Sequence, residues 1–405
     1  MKTFSRRKFL ASSAWLSVGL SLTACQPIRR PNEMTIPSAT TDSNPRFAGF
    51  VEDAQKGMAT HQSPGMAAGI VQGGKLIYTN SFGVRNLKTG APMTPQSVMT
   101  LGSISKSFTA AAIMQLVETG KVDIDQPYVS YVPYFAMEDA RYKAITIRHL
   151  LAHNSGLPEL TSADTYGEFS DPQYDDGAAE RFVRSLKTGI LLNQDPGGDQ
   201  FRYSDVGYDI LADLIHKVSG ELFEDYIRHH IFDPLGMASS TFLHKEVPTD
   251  QLVAAHVYNE SGKPIVWDSF PYNRIHAPSS GLHSNVEDMS RWVLAQMSGG
   301  ELDGKRILQP QSQAHLWDTL FTLDMSNEVH GWGWGCGVGD LEGKQFITGI
   351  GDKPGSHTVV SLLPTEGLAA ILLDNVATSM GSYEEPYYTY TLSVETLEKL
   401  LHDEL

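Results

Sequence analysis

The chain has 405 residues, with 41% hydrophobic and 19% charged positions. That is enough apolar material for a large buried core, and it excludes a disordered chain, a disulfide mini-protein and a fibrous repeat. Lys and Arg number 31 against 47 Asp and Glu, a formal charge of −16. Without the basic residues Lys2, Arg6, Arg7 and Lys8 the remainder is more acidic still. Such a body is repelled by phosphate backbones, so no nucleic-acid partner is expected.

Residues 1–24 read as an export signal. A basic start precedes an apolar run, Phe9 to Ala24, that is short for a membrane span. Ser5-Arg6-Arg7-Lys8-Phe9-Leu10 resembles the twin-arginine export motif. Leu22-Thr23-Ala24-Cys25 resembles a lipobox, with cleavage before Cys25 and lipid on its sulfur. The plainer alternative is an ordinary secretory signal. On the lipobox reading the protein is anchored by lipid to a membrane of the bacterial periplasm or cell envelope. Residues 25–45, rich in Pro, Ser, Thr and Asn, then serve as a tether.

With Cys25 lipidated, Cys336 is left without a disulfide partner. Set among Gly and Trp in GWGWGCGVGD, it reads as a small packing residue. The C-terminal His402-Asp403-Glu404-Leu405 matches a retrieval signal of the endoplasmic reticulum, but the frayed end of a helix is the preferred reading. A bacterial lipobox and that signal cannot both act, and the longer N-terminal pattern is preferred.

After the tether a helical stretch runs from Phe47 to His61. Ala67–Gln72 and Lys75–Phe82 flank Gly73-Gly74, a hairpin signal. A helix follows from Ser103 to Thr119. From about 130 to 265 the pattern is mostly helical, and Ser279–Gln296 resumes helical periodicity. His357–Leu363 and Leu368–Asn375, joined by Pro364-Thr365-Glu366-Gly367, form a second hairpin. A last helix spans about Glu385 to Leu401, with Pro386 in its first turn. Strands thus gather at both ends and helices between. The expected fold is α+β: an antiparallel sheet domain from 46–130 and 265–405, and a mostly helical lobe from 131–264. The cleft between them is the default site.

Ser103-Ile104-Ser105-Lys106 opens a helix, so the Ser103 hydroxyl and the Lys106 amine share one face. The helix start adds unsatisfied N–H groups and a positive dipole end. A serine becomes a nucleophile beside a base, and a lysine of lowered pKa can be that base. Tyr203, in Phe201-Arg202-Tyr203-Ser204-Asp205, can pass a proton to a leaving group, or be a packing aromatic. His149 and His153 lie four apart in HLLAH, but the Glu of a zinc-binding H-E-x-x-H is absent, so no metal is expected and a structural role is preferred. No G-x-S-x-G, phosphate-binding loop or spaced Cys/His cluster occurs, and no cofactor is indicated.

These residues stand in blocks that resemble the serine hydrolase family of class C β-lactamases, D-alanyl-D-alanine carboxypeptidases and related esterases. The blocks are Ser63-Pro64-Gly65, Leu101 to Lys106, Thr146 to Leu157, Phe201 to Tyr208, Pro234 to Met237, Ser280-Gly281-Leu282 with Asp288, and Gly331 to Gly335, spread over roughly residues 45–400. The resemblance implies a five-stranded antiparallel sheet flanked by helices, with Ser103 as acylated nucleophile and Lys106 and Tyr203 sharing proton transfer. It also implies an oxyanion hole from the backbone N–H groups of Ser103 and Asp352.

Two departures bear on substrate. The third motif of the family begins with Lys or His, and here its frame falls on Gly349-Ile350-Gly351. Gly349 offers no donor to a substrate carboxylate, which favours neutral esters or amides over D-Ala-terminated peptides and β-lactams; Lys353, four residues on, is the alternative source of charge. Asp205 replaces the usual Asn. It either raises the pKa of Lys106, or recognises a substrate amine, or changes nothing. The readings that remain are a small-molecule esterase or amidase, a cell-wall peptidase or β-lactamase, and an inactive binding member of the family.

Overall fold

The computed structural model describes residues 44–159, 175–188, 192–268, 270, 272–323, 326–376 and 388–405. The export signal, most of the tether, Cys25 and Pro386 lie outside the described residues.

A nine-stranded antiparallel sheet forms the centre. Its strands are β1 (Gly65–Gln72), β2 (Lys75–Asn86), β3 (Ala91–Pro92), β4 (Phe321–Thr322), β5 (Val329–Trp332), β6 (Gly337–Leu341), β7 (Lys344–Lys353), β8 (Ser356–Leu363) and β9 (Leu368–Asp374). Their order across the sheet is β4-β5-β6-β7-β8-β9-β1-β2-β3. The five long strands β7, β8, β9, β1 and β2 are the expected sheet, with four shorter ones extending its edges. Chain start and chain end meet where β1 pairs with β9, from Met66 opposite Asp374 to Gln72 opposite Leu368. The turn between β1 and β2 is Gly73-Gly74, at φ +59° and +74°. Two positive φ values in a two-residue loop match the right-handed twist of a hairpin and favour glycine.

Alternation along β1 sends Met66, Ala68 and Ile70 to one face and Ala67 and Val71 to the other. On the first face they meet helices α1 (Ala48–Thr60) and α10 (Tyr388–Leu401), through Phe50, Met58 and Leu397. On the second they join the core of α2 (Ser105–Glu118) and α9 (Val286–Met297), with Phe108 stacked on Trp292 at 4.0 Å between ring centres. With both faces covered, β8 and β9 are buried along their whole length.

The lobe contains α3 (Ile147–Leu151), α4 (Ala178–Ser185), α5 (Asp205–Asp209), α6 (Leu211–Ser219) and α7 (Phe223–Ile227), with a small hairpin of His256–Tyr258 and Pro264–Val266.

Two local readings are corrected. The helical periodicity over 279–296 is not one helix. A short α8 (Ala277–Ser280) ends, His283 and Ser284 pair with Thr100 and Met99, and Asn285 caps α9 by accepting from the Asp288 N–H. The strand pairing pulls the chain straight where side-chain spacing alone continued the helix. Nor do His149 and His153 share a helix face. Helix α3 ends at Leu151, and His153 sits at φ +54°.

Candidate active site

Ser103 lies in a 3-10 turn, Gly102–Ile104, that leads into α2. The turn is pressed against β7. A methyl built on Gly102, itself at φ +52°, would come 2.9 Å from the Asp352 nitrogen, and one on Gly351 would come 1.8 Å from the Leu101 carbonyl oxygen. Only bare backbone fits at both places. This contact sets the Asp352 amide region beside the turn that carries Ser103.

Three side chains converge on the Ser103 hydroxyl and its neighbour. Ser103 Oγ and the Tyr203 hydroxyl share a hydrogen bond of 2.7 Å. Lys106 Nζ, fully buried, donates to Ser103 Oγ at 3.0 Å and to the Ser279 carbonyl at 3.0 Å. It also forms an ion pair of 2.5 Å with Asp205 Oδ1, whose side chain keeps 25% exposure. The ammonium further sits 4.7 Å from the centre of the Tyr203 ring, within cation–π range.

The charges follow from these contacts. Burial pulls the Lys106 pKa down, but Asp205 and the Tyr203 oxygen outweigh it and the net displacement is upward. Burial pushes the Tyr203 hydroxyl up, against the pull of Lys106. Burial resists ionisation of Asp205, yet Lys106 wins and holds that carboxyl below its usual range. At rest Lys106 is a cation, Asp205 an anion and Tyr203 neutral. The 2.5 Å ion pair fits the first of the three readings of Asp205, a raised pKa for Lys106.

Tyr203 is held in place by aromatic packing. His153 stacks on it at 4.3 Å, and Trp332 meets it edge-on at 5.9 Å. His153 Nδ1 accepts the Ser204 N–H at 3.1 Å, and burial, then Lys106, lowers its pKa so that the ring stays neutral. The Trp332 indole donates to the Leu151 carbonyl. The structural role expected of His153 is thus specific, since it positions Tyr203.

Gly349, Gly351 and Lys353 alternate onto the one face of β7 that looks toward α2. A methyl on Gly349 would touch only Ile104, at 3.4 Å. Glycine is therefore no steric necessity there. Lys353 is only 7% exposed, and burial lowers its pKa to about 8 despite Asp205 and Asp209. It is thus a buried charge on the strand face that carries Gly349 and Gly351.

Two participants were not foreseen. The Ser279 carbonyl on Lys106 is a backbone group delivered by α8. Glu159 accepts the Asp205 N–H at 3.0 Å. Burial of the carboxyl first, and the Asp205 carboxylate second, raise its pKa to about 8. Cys336 is buried, and burial lifts its thiol pKa to about 12, as befits a packing residue. Among the described residues, no group of three or more His, Cys, Asp or Glu is placed to hold a metal, and no helix is long and apolar enough to cross a membrane.

A serine at a helix start, a lysine one turn on and a tyrosine across the cleft, all against one antiparallel sheet, define a serine hydrolase of the penicillin-binding-protein fold. Residues 50–393 match the Beta-lactamase family, and the chain belongs to it. It is a β-lactamase-related serine hydrolase acting through an acyl-serine intermediate on a small ester or amide.

Among its relatives, penicillin-binding protein 4 of Amycolatopsis lactamdurans is 30% identical over 330 residues, covering 79% of this chain and 83% of that one. Protein flp of Staphylococcus aureus strain MW2 is 28% identical over 296 residues, 72% of this chain. The match spans 56% of the length of flp. The octameric penicillin-binding protein homologue of Pyrococcus abyssi superposes with a TM-score of 0.75 at 26% identity, covering 87% of this chain and 77% of that one. The D-amino acid amidase of Ochrobactrum anthropi SV3, complexed with L-phenylalanine amide, gives 0.70 at 22% identity, covering 88% and 100%, and shares the fold.

Proposed function

We propose that the protein is an exported, lipid-anchored hydrolase of small neutral esters or amides, with Ser103 as nucleophile and Lys106 and Tyr203 as proton carriers. The observation that carries this reading is the pair of hydrogen bonds, 2.7 and 3.0 Å, that Ser103 Oγ makes with Tyr203 and Lys106. Because Lys106 rests as a cation, it acts as base by handing a proton to Asp205 while it takes the one on Ser103 Oγ. Covering Asp205 with substrate favours this neutral pair over the ion pair. The freed oxygen attacks the carbonyl carbon, and the backbone N–H groups of Ser103 and Asp352 receive the oxyanion. On collapse the leaving group takes the Tyr203 proton. Lys106 replaces it and is itself recharged by Asp205, so no net proton is lost. Water then hydrolyses the acyl-serine by the same route.

The twin-arginine-like start and the lipobox at Cys25 support export and anchoring. Cys25→Ser is expected to move the protein from the membrane to the soluble fraction, and unchanged fractionation would sink the anchor. For the chemistry, a fluorophosphonate probe should add once to the wild type by intact mass and not at all to Ser103→Ala. No adduct on folded wild type would favour the inactive binding reading. For the substrate, neutral esters should be cleaved and a chromogenic cephalosporin left intact. Gly349→His, whose Cβ would meet only Ile104 at 3.4 Å, should raise kcat/KM for carboxylate-bearing esters by roughly tenfold. The peptidase or β-lactamase reading is favoured by the buried cation Lys353 on the same strand face; cephalosporin turnover by the wild type would establish it.

A further inference from the structure

Behind the catalytic side chains lies a second buried constellation that the chemistry above does not use. His276 Nδ1 and Asp209 Oδ2 are hydrogen-bonded at 2.7 Å, with side chains 3% and 0% exposed. The other oxygen of Asp209 accepts the Ser279 N–H at 3.2 Å. Ser279 is the residue whose carbonyl accepts from Lys106. The hydroxyls of Ser279 and Ser280 in turn donate to the His276 carbonyl, each at 3.2 Å. An unbroken chain of contacts thus runs from His276 through Asp209 and Ser279 to Lys106.

Asp209 stands four residues after Asp205, at the other end of α5. Residues spaced by four share a helix face, so one short helix delivers two carboxylates to the same region. Asp205 binds the lysine directly, and Asp209 fixes the peptide that binds it from the other side. A buried imidazole–carboxylate pair is costly to retain unless its geometry is tightly held. Its position, linked to the site from behind, offers a reason for keeping it.

We propose that Asp209 and His276 are positioning residues for catalysis: together they clamp Ser279 so that its carbonyl, with Asp205, holds the Lys106 amine against the Ser103 hydroxyl. The inference rests on Ser103 being the nucleophile. Without the clamp, α8 relaxes, Lys106 gains freedom toward Asp205, and its nitrogen leaves hydrogen-bond range of Ser103 Oγ. An ångström of misplacement in such an assembly has large kinetic consequences.

The test uses the rate of phosphonylation of Ser103 by a fluorophosphonate, measured to saturation so that limiting rate and half-saturating concentration separate. Asp209→Ala is expected to lower the limiting rate by ~10- to 100-fold and to leave the half-saturating concentration within about twofold. Asp209→Asn keeps an oxygen for the Ser279 N–H and a donor for the other tautomer of His276, and should recover the rate to within about threefold of wild type. Asp213→Asn is the control, because Asp213 is as buried and its carboxylate accepts from Tyr134, a residue outside the clamp.

Should Asp209→Ala fail to fold, His276→Gln supplies the measurement, with the same loss confined to the limiting rate. The proposal is overturned if the folded clamp variants keep the wild-type limiting rate, if Asp213→Asn loses as much, or if Asp209→Asn brings no rescue. A wild type that takes no label sinks the nucleophile assignment, and this inference with it. Labelled wild type with unaffected variants sinks this inference alone.

Discussion

On opposite faces of the central sheet, a serine, a carboxylate and a tyrosine meet twice. One set is Ser103, Asp205 and Tyr203. The other is Ser63, Asp374 and Tyr388, at the junction of β1, β9 and α10: Ser63 Oγ donates to Asp374 Oδ1 at 2.8 Å, and the Tyr388 hydroxyl donates to Asp374 Oδ2. The residue types are the same and the outcomes differ. In the second set Ser63 and Asp374 are 0% and 1% exposed, and the serine proton is already committed to the carboxylate. In the first set a lysine stands between carboxylate and serine, and Asp205 remains partly open to solvent. A buried polar trio ties elements together; adding a proton-carrying cation and an opening makes it chemically competent.

The sharpest way to break this contrast is to remove each serine in turn. Ser103→Ala should lower ester hydrolysis by roughly 10⁴-fold or more with an unchanged melting transition. Ser63→Ala should leave the rate unchanged and cost about 1–3 kcal/mol of stability, read from denaturant unfolding, since Asp374 loses a buried donor. A rate loss in Ser63→Ala would erase the distinction.

A smaller effect concerns Asp205. On the proposed route the acid limb of kcat in the wild type should report ionisation of Asp205, held low by Lys106. With Asp205→Asn the base is Lys106 alone, and activity then requires its deprotonation. The acid limb should move upward by about one pH unit or more, seen in a pH–rate profile. No movement would remove Asp205 from the proton path.

The smallest effect concerns the sealed trio. Asp374 is raised in the folded state to about 7, chiefly by burial, and so holds its proton where the unfolded chain, near 3.8, has released it. Its contribution to stability is complete below the unfolded value and is lost as pH rises through 7. The melting temperature should fall between pH 4 and pH 8 in the wild type, and less so in Asp374→Asn.

Much of this was legible in the sequence because the signals are local. Gly73-Gly74 and the Pro364–Gly367 turn announce the hairpins, and Ser103 and Lys106 sit one helical turn apart. Tyr203 and Asp205 were found by the block they stand in. The rest depends on contacts that no short window contains. Asp209 meets His276 across 67 residues, and the Ser279 carbonyl is a backbone group with no residue-type signature. The break between α8 and α9 is hidden because side-chain spacing stays helical, while strand pairing with Met99 and Thr100 decides the backbone. The short edge strands β3 and β4 have two residues each, too few for alternation to show.

The close passage of β7 beneath the turn of Ser103 has a further consequence. At Gly351 the space for even one methyl group is already taken by the Leu101 carbonyl. Gly351→Ala would therefore act as a wedge that keeps every reactive side chain and separates the turn of Ser103 from β7, the two backbone segments proposed to receive the oxyanion. The chain is open to silencing by bulk alone, at a position that takes no part in proton transfer.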